Sequence, residues 1–132
     1  MADAPAKVAR GTAPEKRLEA ALRRLSIHGY EQTPSDVTGR PDFYFRHARP
    51  SRVAVFVHGC AWHGCAAHYR PHPNPQHGLS RESVARQKQR DRMVAAALQA
   101  TGHAVVTLWE HEVARGAEAC ARRVAEALAC RG

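Results

Sequence analysis

The chain has 132 residues, enough for one domain, and 44% of them are hydrophobic, so it can bury a single core. Its 20 lysines and arginines outnumber 12 acidic residues, and the net charge of +8 favours a nucleic-acid partner, although a basic protein without one can share this composition. No apolar run approaches the roughly 18 residues of a membrane span and the N-terminus lacks a signal-peptide core, so we expect a cytoplasmic protein.

The chain begins with Ala, Pro, Lys and Arg in no regular period over residues 1–11. We interpret this stretch as a flexible basic N-terminal arm or a frayed terminus, followed by a single domain at 12–132. Thr12 and Glu15 have the spacing of a helix-capping box, and apolar residues then recur at helical spacing until Gly29. The capping box by itself accounts for Glu15, so this pattern alone assigns that residue no catalytic role.

Three strands are predicted next, at Tyr30–Thr33, Asp42–Phe45 and Val53–Val57. The last two are separated by a short loop, which predicts an antiparallel hairpin. Residues 58–79 have no regular period and are rich in Pro, His and Gly. A loop of this length inside a domain is normally functional or held by something, such as a metal.

A helix is predicted from Ser80 to Thr101, an apolar strand at Ala104–Trp109, and a closing helix from 116 to about 130. The predicted order is therefore α-β-β-β-α-β-α, an α/β sandwich around a central mixed sheet. Cys120 and Cys130 fall in the closing helix and are interpreted as buried thiols.

Metal ligands are concentrated in the long loop, where Cys60, Cys65 and His68 follow a Cys-x4-Cys-x2-His pattern. Structural zinc takes four ligands in a tetrahedron, so a fourth must come from elsewhere. His111 is the best candidate because it follows a strand end. His72, His77 and Cys120 are alternatives, and two reduced thiols in an ordinary loop remain the competing interpretation.

A catalytic centre is predicted where two neighbouring strand ends meet. Asp42 begins one strand, while His58 and His63 follow the other. A carboxylate can hold a hard cation such as magnesium, and a nearby histidine can take a proton from water to generate hydroxide for a phosphodiester. Alone, Asp42 could equally cap a turn.

Candidate DNA contacts lie in the same loop and in the helix that follows it. Trp62 could stack on or wedge between bases, or could cover the small core of its own loop. The first half of the helix from Ser80 is basic, and Arg86 and Arg90 could contact phosphates or form a solvated face.

Several motifs together resemble the very-short-patch repair (Vsr-type) DNA mismatch endonucleases. The motifs are Gly39-Arg-Pro-Asp42-Phe, His58-Gly-Cys-Ala-Trp-His63 and Val105-Val-Thr-Leu-Trp109-Glu110. A Pro-Glu helix and an Arg-Asp pair in a helix accompany them, and all occur in the same order as in the family. The resemblance extends from Pro14 to about His111. It implies a restriction-endonuclease-like fold with magnesium and a structural zinc, and an enzyme that nicks DNA 5′ to the thymine of a T·G mismatch.

The resemblance also implies residue roles. Asp42 matches the magnesium-binding aspartate, and Val57 would serve the metal through its backbone carbonyl. His63 matches the histidine that activates water, His58 the one that assists near the phosphate, and Glu15 a glutamate that supports the metal's waters. Cys60 and Cys65 match zinc cysteines, and His111 stands where the family often has a cysteine. With His68 from the Cys-x4-Cys-x2-His spacing, they form the expected zinc set.

The chain departs from the family at its recognition residues. Ala61 replaces a phenylalanine that pairs with the tryptophan as a wedge beside the mismatch, and the helix from Ser80 differs at several positions that face DNA in the family. Two alternatives therefore remain: a same-fold DNA nicking nuclease without mismatch specificity, and a zinc-stabilised DNA-binding module without catalysis. We expect a monomer that acts on double-stranded DNA with a T·G mismatch and not on membranes. A functional link to a DNA cytosine methyltransferase stays open.

Overall fold

The computed structural model describes residues 12–129, so the predicted arm at 1–11 and Cys130 lie outside the described residues. Within that range the order of elements is α-β-β-α-β-α, which confirms the α/β class. Among residues 12–129, no helix is both long enough and apolar enough to cross a membrane. The elements are α1 (Ala13–Arg24), β1 (Phe43–Phe45), β2 (Arg52–His58), α2 (Arg81–Ala100), β3 (His103–Trp109) and α3 (Glu110–Ala129).

The described strands form one mixed sheet in the order β1-β2-β3. β1 runs antiparallel to β2, with Phe43 opposite Val55, which confirms the predicted hairpin. β2 and β3 are parallel, with His58 opposite Trp109 at their carboxyl ends. The long loop and α3 therefore leave the sheet from the same edge, where ligands commonly bind in α/β proteins.

Two predictions before β1 were wrong. The strand expected at Tyr30–Thr33 is reduced to a single bridge between Glu31 and Tyr44. Thr33 has φ 50°, a left-handed conformation that ends an extended strand. The first helix stops at Arg24 rather than near Gly29, because Ser26 also adopts a positive φ.

The closing helix starts earlier than predicted. It begins at Glu110, directly after β3, and is interrupted at Gly116, whose backbone is extended (φ −167°, ψ 83°). The predicted start at 116 therefore matches only its second segment. As a consequence, His111 lies in the first turn of α3 rather than in a loop.

The core lies on both faces of the sheet, because alternate β2 side chains point to opposite sides. Val53 and Val55 pack with apolar residues of α1 and α3 on one face. Ala54 and Phe56 pack with Leu98 of α2 on the other. His58 follows Phe56 in the same alternation, so it ends the strand on the face that α2 covers.

Candidate catalytic centre and metal cluster

Asp42 is held at the entrance of β1 beside the exit of β2. Its carboxylate is buried, and Oδ2 accepts a hydrogen bond from the Val57 backbone N–H at 2.6 Å. The turn before it uses Gly39 and Arg40 at positive φ, and Arg40 N–H donates to the Val37 carbonyl at 2.9 Å. The structure therefore brings Asp42 directly beside Val57, its predicted partner.

His58 and His63 form the centre of the site. Their rings are stacked, with centroids 3.9 Å apart and 5° between the planes, and both side chains are buried. His58 ends β2 and also contacts the Trp109 indole edge-on at 5.4 Å. The predicted histidine pair is thus fixed by a strand end on one side and by the long loop on the other.

Asp91 of α2 completes this group and was not identified from the sequence as a site residue. His63 Nδ1 lies 2.7 Å from Asp91 Oδ2, and Gln87 Nε2 donates to Oδ1 at 2.9 Å. Burial alone would raise the pKa of Asp91, but the hydrogen bond and the charges of His63 and His58 hold it below its usual value. The carboxylate is therefore an acceptor, and His63 Nδ1–H donates to it.

A signal for Asp91 was present in the sequence. It lies seven residues after Val84 and three before Val94, on the buried stripe of α2. A carboxylate on an apolar stripe needs a partner inside the protein. The partner itself could not be identified, because His63 is 28 residues away along the chain.

The loop approaches α2 closely enough to make this contact because Gly64 has no side chain. A Cβ at Gly64 would lie 2.7 Å from Val84 Cγ1 and 2.5 Å from Lys88 Cε, and the residue has φ +70°. Glycine alone tolerates both constraints. It places the neighbouring His63 against the inner face of α2.

Glu15 is the last of the predicted catalytic residues. It lies in the first turn of α1, is buried, and its backbone N–H donates to the Thr12 hydroxyl at 3.4 Å. Within residues 12–129, the compact group of ligand atoms contains His58, His63 and Asp91 but neither Glu15 nor Asp42.

Cys60, Cys65, His68 and His111 converge into one cluster, with ligand atoms all within 4.8 Å of one another. Cys60 Sγ lies 3.3 Å from His111 Nδ1, and Cys65 Sγ lies 3.6 Å from the same nitrogen and 3.7 Å from His68 Nδ1. Burial raises the pKa of the Cys60 thiol. The alternatives His72, His77 and Cys120 are not part of the cluster.

Glu110 connects this cluster to the histidine pair and was missed as a site residue. Its Oε1 accepts a hydrogen bond from the Cys60 backbone N–H at 2.9 Å. Cys60 lies two residues after His58, so the carboxylate fixes the chain between the two groups. The sequence showed Glu110 only as the end of a strand motif.

The predicted DNA contacts are all at the surface. Trp62 is 44% exposed, and Arg86 and Arg90 are exposed on α2. Arg90 also borders a pocket of ≈ 250 Å³ between α2 and the sheet, which is lined in addition by His58 and Asp91. An open cavity with a cation at its rim therefore lies beside the histidine pair.

A buried histidine–carboxylate group at a sheet edge, with an exposed arginine beside it, has the groups needed for general acid–base chemistry near an anionic substrate. The profile of the family described as DNA mismatch endonuclease Vsr matches residues 4–69. The chain belongs to the Vsr family, as its relatives also show.

Three relatives illustrate the match. The Type II nicking enzyme V.NmeDIP of Neisseria meningitidis serogroup C is 31% identical over 122 residues, covering 90% of this chain and 78% of the relative. V.NaeI of Lentzea aerocolonigenes, also a Type II nicking enzyme, is 36% identical over 106 residues, covering 77% of this chain and 61% of the relative. The DNA mismatch endonuclease Vsr of Escherichia coli K12 is 31% identical over 101 residues, covering 76% of this chain and 62% of the relative.

Proposed function

We propose that this endonuclease nicks one strand of double-stranded DNA 5′ to the thymine of a T·G mismatch, in very-short-patch repair. The observation that carries the proposal is the buried His58–His63 stack, held by Asp91 at the carboxyl end of β2. Family membership supports the reaction, since one relative is named a DNA mismatch endonuclease. Residues 12–132 would act as one domain, in agreement with the two clusters that pack on one sheet.

In this mechanism His63 acts as general base. Because Nδ1–H donates to Asp91, the neutral ring carries its lone pair on Nε2, which takes a proton from the attacking water. Asp91 keeps the ring in this tautomer and orientation. His58 would assist near the phosphate, and Glu15 would support the water network from the first turn of α1.

The residues around Asp42 fit a magnesium ion. A buried carboxylate beside the Val57 carbonyl offers the oxygen ligands that magnesium prefers, and the hydrogen bond to Val57 N–H keeps the two together. When bound, magnesium supplies positive charge that stabilises the transition state on the phosphate. Asp42 and the Val57 backbone would hold it.

The cysteine–histidine cluster fits a structural zinc. Bonds of about 2.3 Å to sulfur and about 2.1 Å to nitrogen in a tetrahedron place the two ligand atoms about 3.6 Å apart. The sulfur–nitrogen distances of 3.3, 3.6 and 3.7 Å agree with that value. Zinc on Cys60, Cys65, His68 and His111 would hold the loop that carries His63 and Trp62.

DNA would contact Trp62, Arg86 and Arg90, with Trp62 as the wedge beside the mismatch. Ala61 favours a second candidate function, DNA nicking without mismatch specificity, because it leaves half of that wedge without an aromatic ring. Two relatives are named Type II nicking enzymes, which agrees with single-strand nicking in either candidate.

A nicking assay separates these functions. Labelled duplexes with one T·G pair or fully matched are incubated with magnesium or with chelator, using the wild type and His63→Asn. Magnesium-dependent nicks confined to the thymine strand of the T·G duplex support the proposal. Equal nicking of both duplexes would replace it with the unspecific nuclease. Binding without nicking over a panel of flanking sequences would point to a DNA-binding module.

A further inference from the structure

Two histidines outside the site form a stacked pair in the loop before α2. The rings of His72 and His77 lie 3.8 Å apart with 6° between their planes. The backbone closes this part of the loop, since His72 N–H donates to the Leu79 carbonyl at 3.0 Å and His77 N–H to the Asn74 carbonyl at 2.9 Å. His72 is exposed and His77 half-buried, so the pair is at the surface.

The backbone also determines which ring nitrogen carries the proton. Nδ1 of His72 accepts from Asn74 N–H at 3.1 Å, and Nδ1 of His77 accepts from Leu79 N–H at 3.0 Å. A nitrogen that accepts a hydrogen bond uses its lone pair, so in the neutral ring the proton is on Nε2. Each ring therefore offers a donor, and its partner should be an acceptor rather than a metal.

The pair lies beside the exposed tryptophan of the site. Gly78 follows His77 directly, and a Cβ there would lie 2.8 Å from Cζ3 of Trp62 and 3.5 Å from its Cη2. The indole thus rests on the backbone of Gly78. Trp62 and the two imidazole rings therefore lie in neighbouring parts of the same surface loop.

The charge around this surface favours an anionic partner. No aspartate or glutamate occurs between Asp42 and Glu82, whereas Arg70 and Arg81 flank the histidine loop and are exposed. An acceptor-bearing polyanion is therefore attracted to this part of the molecule. Duplex DNA meets both requirements, since its phosphates bring negative charge and oxygen acceptors together.

We propose that His72 and His77 form a DNA-contact site whose Nε2–H groups donate hydrogen bonds to backbone oxygens of the duplex, next to the base step that Trp62 contacts. The inference rests on the proposed function in taking duplex DNA as the substrate. It assigns to this loop a positioning role beside Ala61, where the wedge has only one aromatic ring. Because these donors are neutral, they would fix the register and orientation of the DNA on the protein without adding a positive charge to the interface.

Substitution by asparagine removes the rings and keeps the loop. An asparagine oxygen accepts the backbone N–H two residues on, as Asn74 Oδ1 already does from Gln76 N–H at 2.9 Å. The test compares wild type with the His72→Asn/His77→Asn double variant. His47→Asn is the matched control, because His47 is exposed in the β1–β2 loop, at the other end of β2 from the site.

The measurement is the Kd for a duplex with one T·G pair, with chelator, at several salt concentrations. We expect Kd to rise roughly tenfold in the double variant, a few-fold for each neutral hydrogen bond lost, and to stay unchanged in the control. The slope of log Kd against log salt should not change, because no cation is removed. The thermal melting temperature should also be retained.

Three results would overturn the inference. One is wild-type affinity in a double variant that melts normally, and another is an equal loss in His47→Asn. A salt slope reduced by about one for each histidine would show charged rather than neutral contacts. If the double variant melts lower, the single His72→Asn at the more exposed ring is measured instead. Because binding is measured without cleavage, a wild type that binds but fails to nick overturns the proposed function alone.

Discussion

At the scale of single residues, Asp91 shows how a side chain can act on the chemistry through a neighbour. It accepts from His63 Nδ1 at 2.7 Å and from Gln87 Nε2 at 2.9 Å, so both carboxylate oxygens are engaged. The two bonds orient the carboxylate and, through it, the ring of His63. Asp91 is therefore a positioning residue in the proposed mechanism.

Asp91→Asn tests this role. The amide can keep the shape of the contact but presents only one accepting atom, so it no longer enforces the productive orientation of His63. We expect single-turnover nicking to slow by about 10²-fold, at the low end of the range for a general base, with little change in KM. Glu82→Gln, an exposed carboxylate on the same helix, should nick at the wild-type rate. A wild-type rate in Asp91→Asn would contradict the assignment.

Glu110 is the second residue of this kind, because it holds the Cys60 backbone between the cysteine–histidine cluster and the histidine pair. Partners that orient metal ligands typically affect metal affinity by 10–100-fold. We expect Glu110→Ala to weaken zinc binding by about tenfold and to slow nicking, measured by competition with a zinc chelator and by single-turnover assays.

Glu110→Gln is the matched control for this prediction. Its amide oxygen can still accept from Cys60 N–H, so zinc affinity should stay near that of the wild type. If Glu110→Ala and Glu110→Gln lose zinc equally, negative charge rather than the hydrogen bond is what the site requires.

At the scale of elements, the loop at 59–79 is organised without any helix or strand of its own. Its ends are fixed by β2 and α2, and the cluster of Cys60, Cys65, His68 and His111 joins it to the first turn of α3. The loop carries His63, Trp62 and the His72–His77 pair. Their positions therefore depend on what holds the cluster together.

Cys65→Ala should release the loop. Since metal binding and folding of such a site are coupled, we expect zinc content and the thermal melting temperature to fall together. Elemental analysis and thermal melting are the measurements. Cys120→Ala is the control, because Cys120 is buried away from the cluster and its loss should leave zinc content unchanged. A full zinc content in Cys65→Ala would rule out the ligand set.

At the scale of the whole molecule, stability comes from the sheet covered on both faces. α1 and α3 pack on one side through fully buried residues such as Leu18 and Leu22, whereas α2 covers the other face through fewer apolar contacts. The sheet face covered by α2 also carries His58. The face with the larger core cluster therefore supplies most of the buried apolar surface, and the face with the smaller cluster carries the candidate site.

Leu22→Ala tests which side carries the stability. Removing a side chain with no exposed surface leaves a cavity and should lower the free energy of unfolding by about 2–5 kcal/mol. Met93→Ala on α2, where the side chain is 61% exposed, should change it by no more than about 0.5 kcal/mol. Urea denaturation measures both, and similar losses in the two variants would contradict this account of the core.

Much of the fold was predictable because its signals are local. The Thr12 cap, the β-branched run of β2 and the Ser80 cap of α2 each depend on residues a few positions apart. Ser26 and Thr33 adopt positive φ but carried no such signal, since neither serine nor threonine favours that conformation. This is why the first helix and the strand after it were predicted too long.

The sequence by itself determined the family, the α/β class, the residues of the cysteine–histidine cluster and the two histidines of the candidate catalytic centre, because the motifs that carry them are short and ordered along the chain. Only the tertiary structure decided which of those residues meet. Asp91 reaches His63, Glu110 reaches Cys60, and the His72–His77 pair lies beside Trp62. These contacts arise when α2, α3 and the long loop pack at one edge of the sheet. No local pattern encodes them, because contacts between distant segments depend on how whole elements pack.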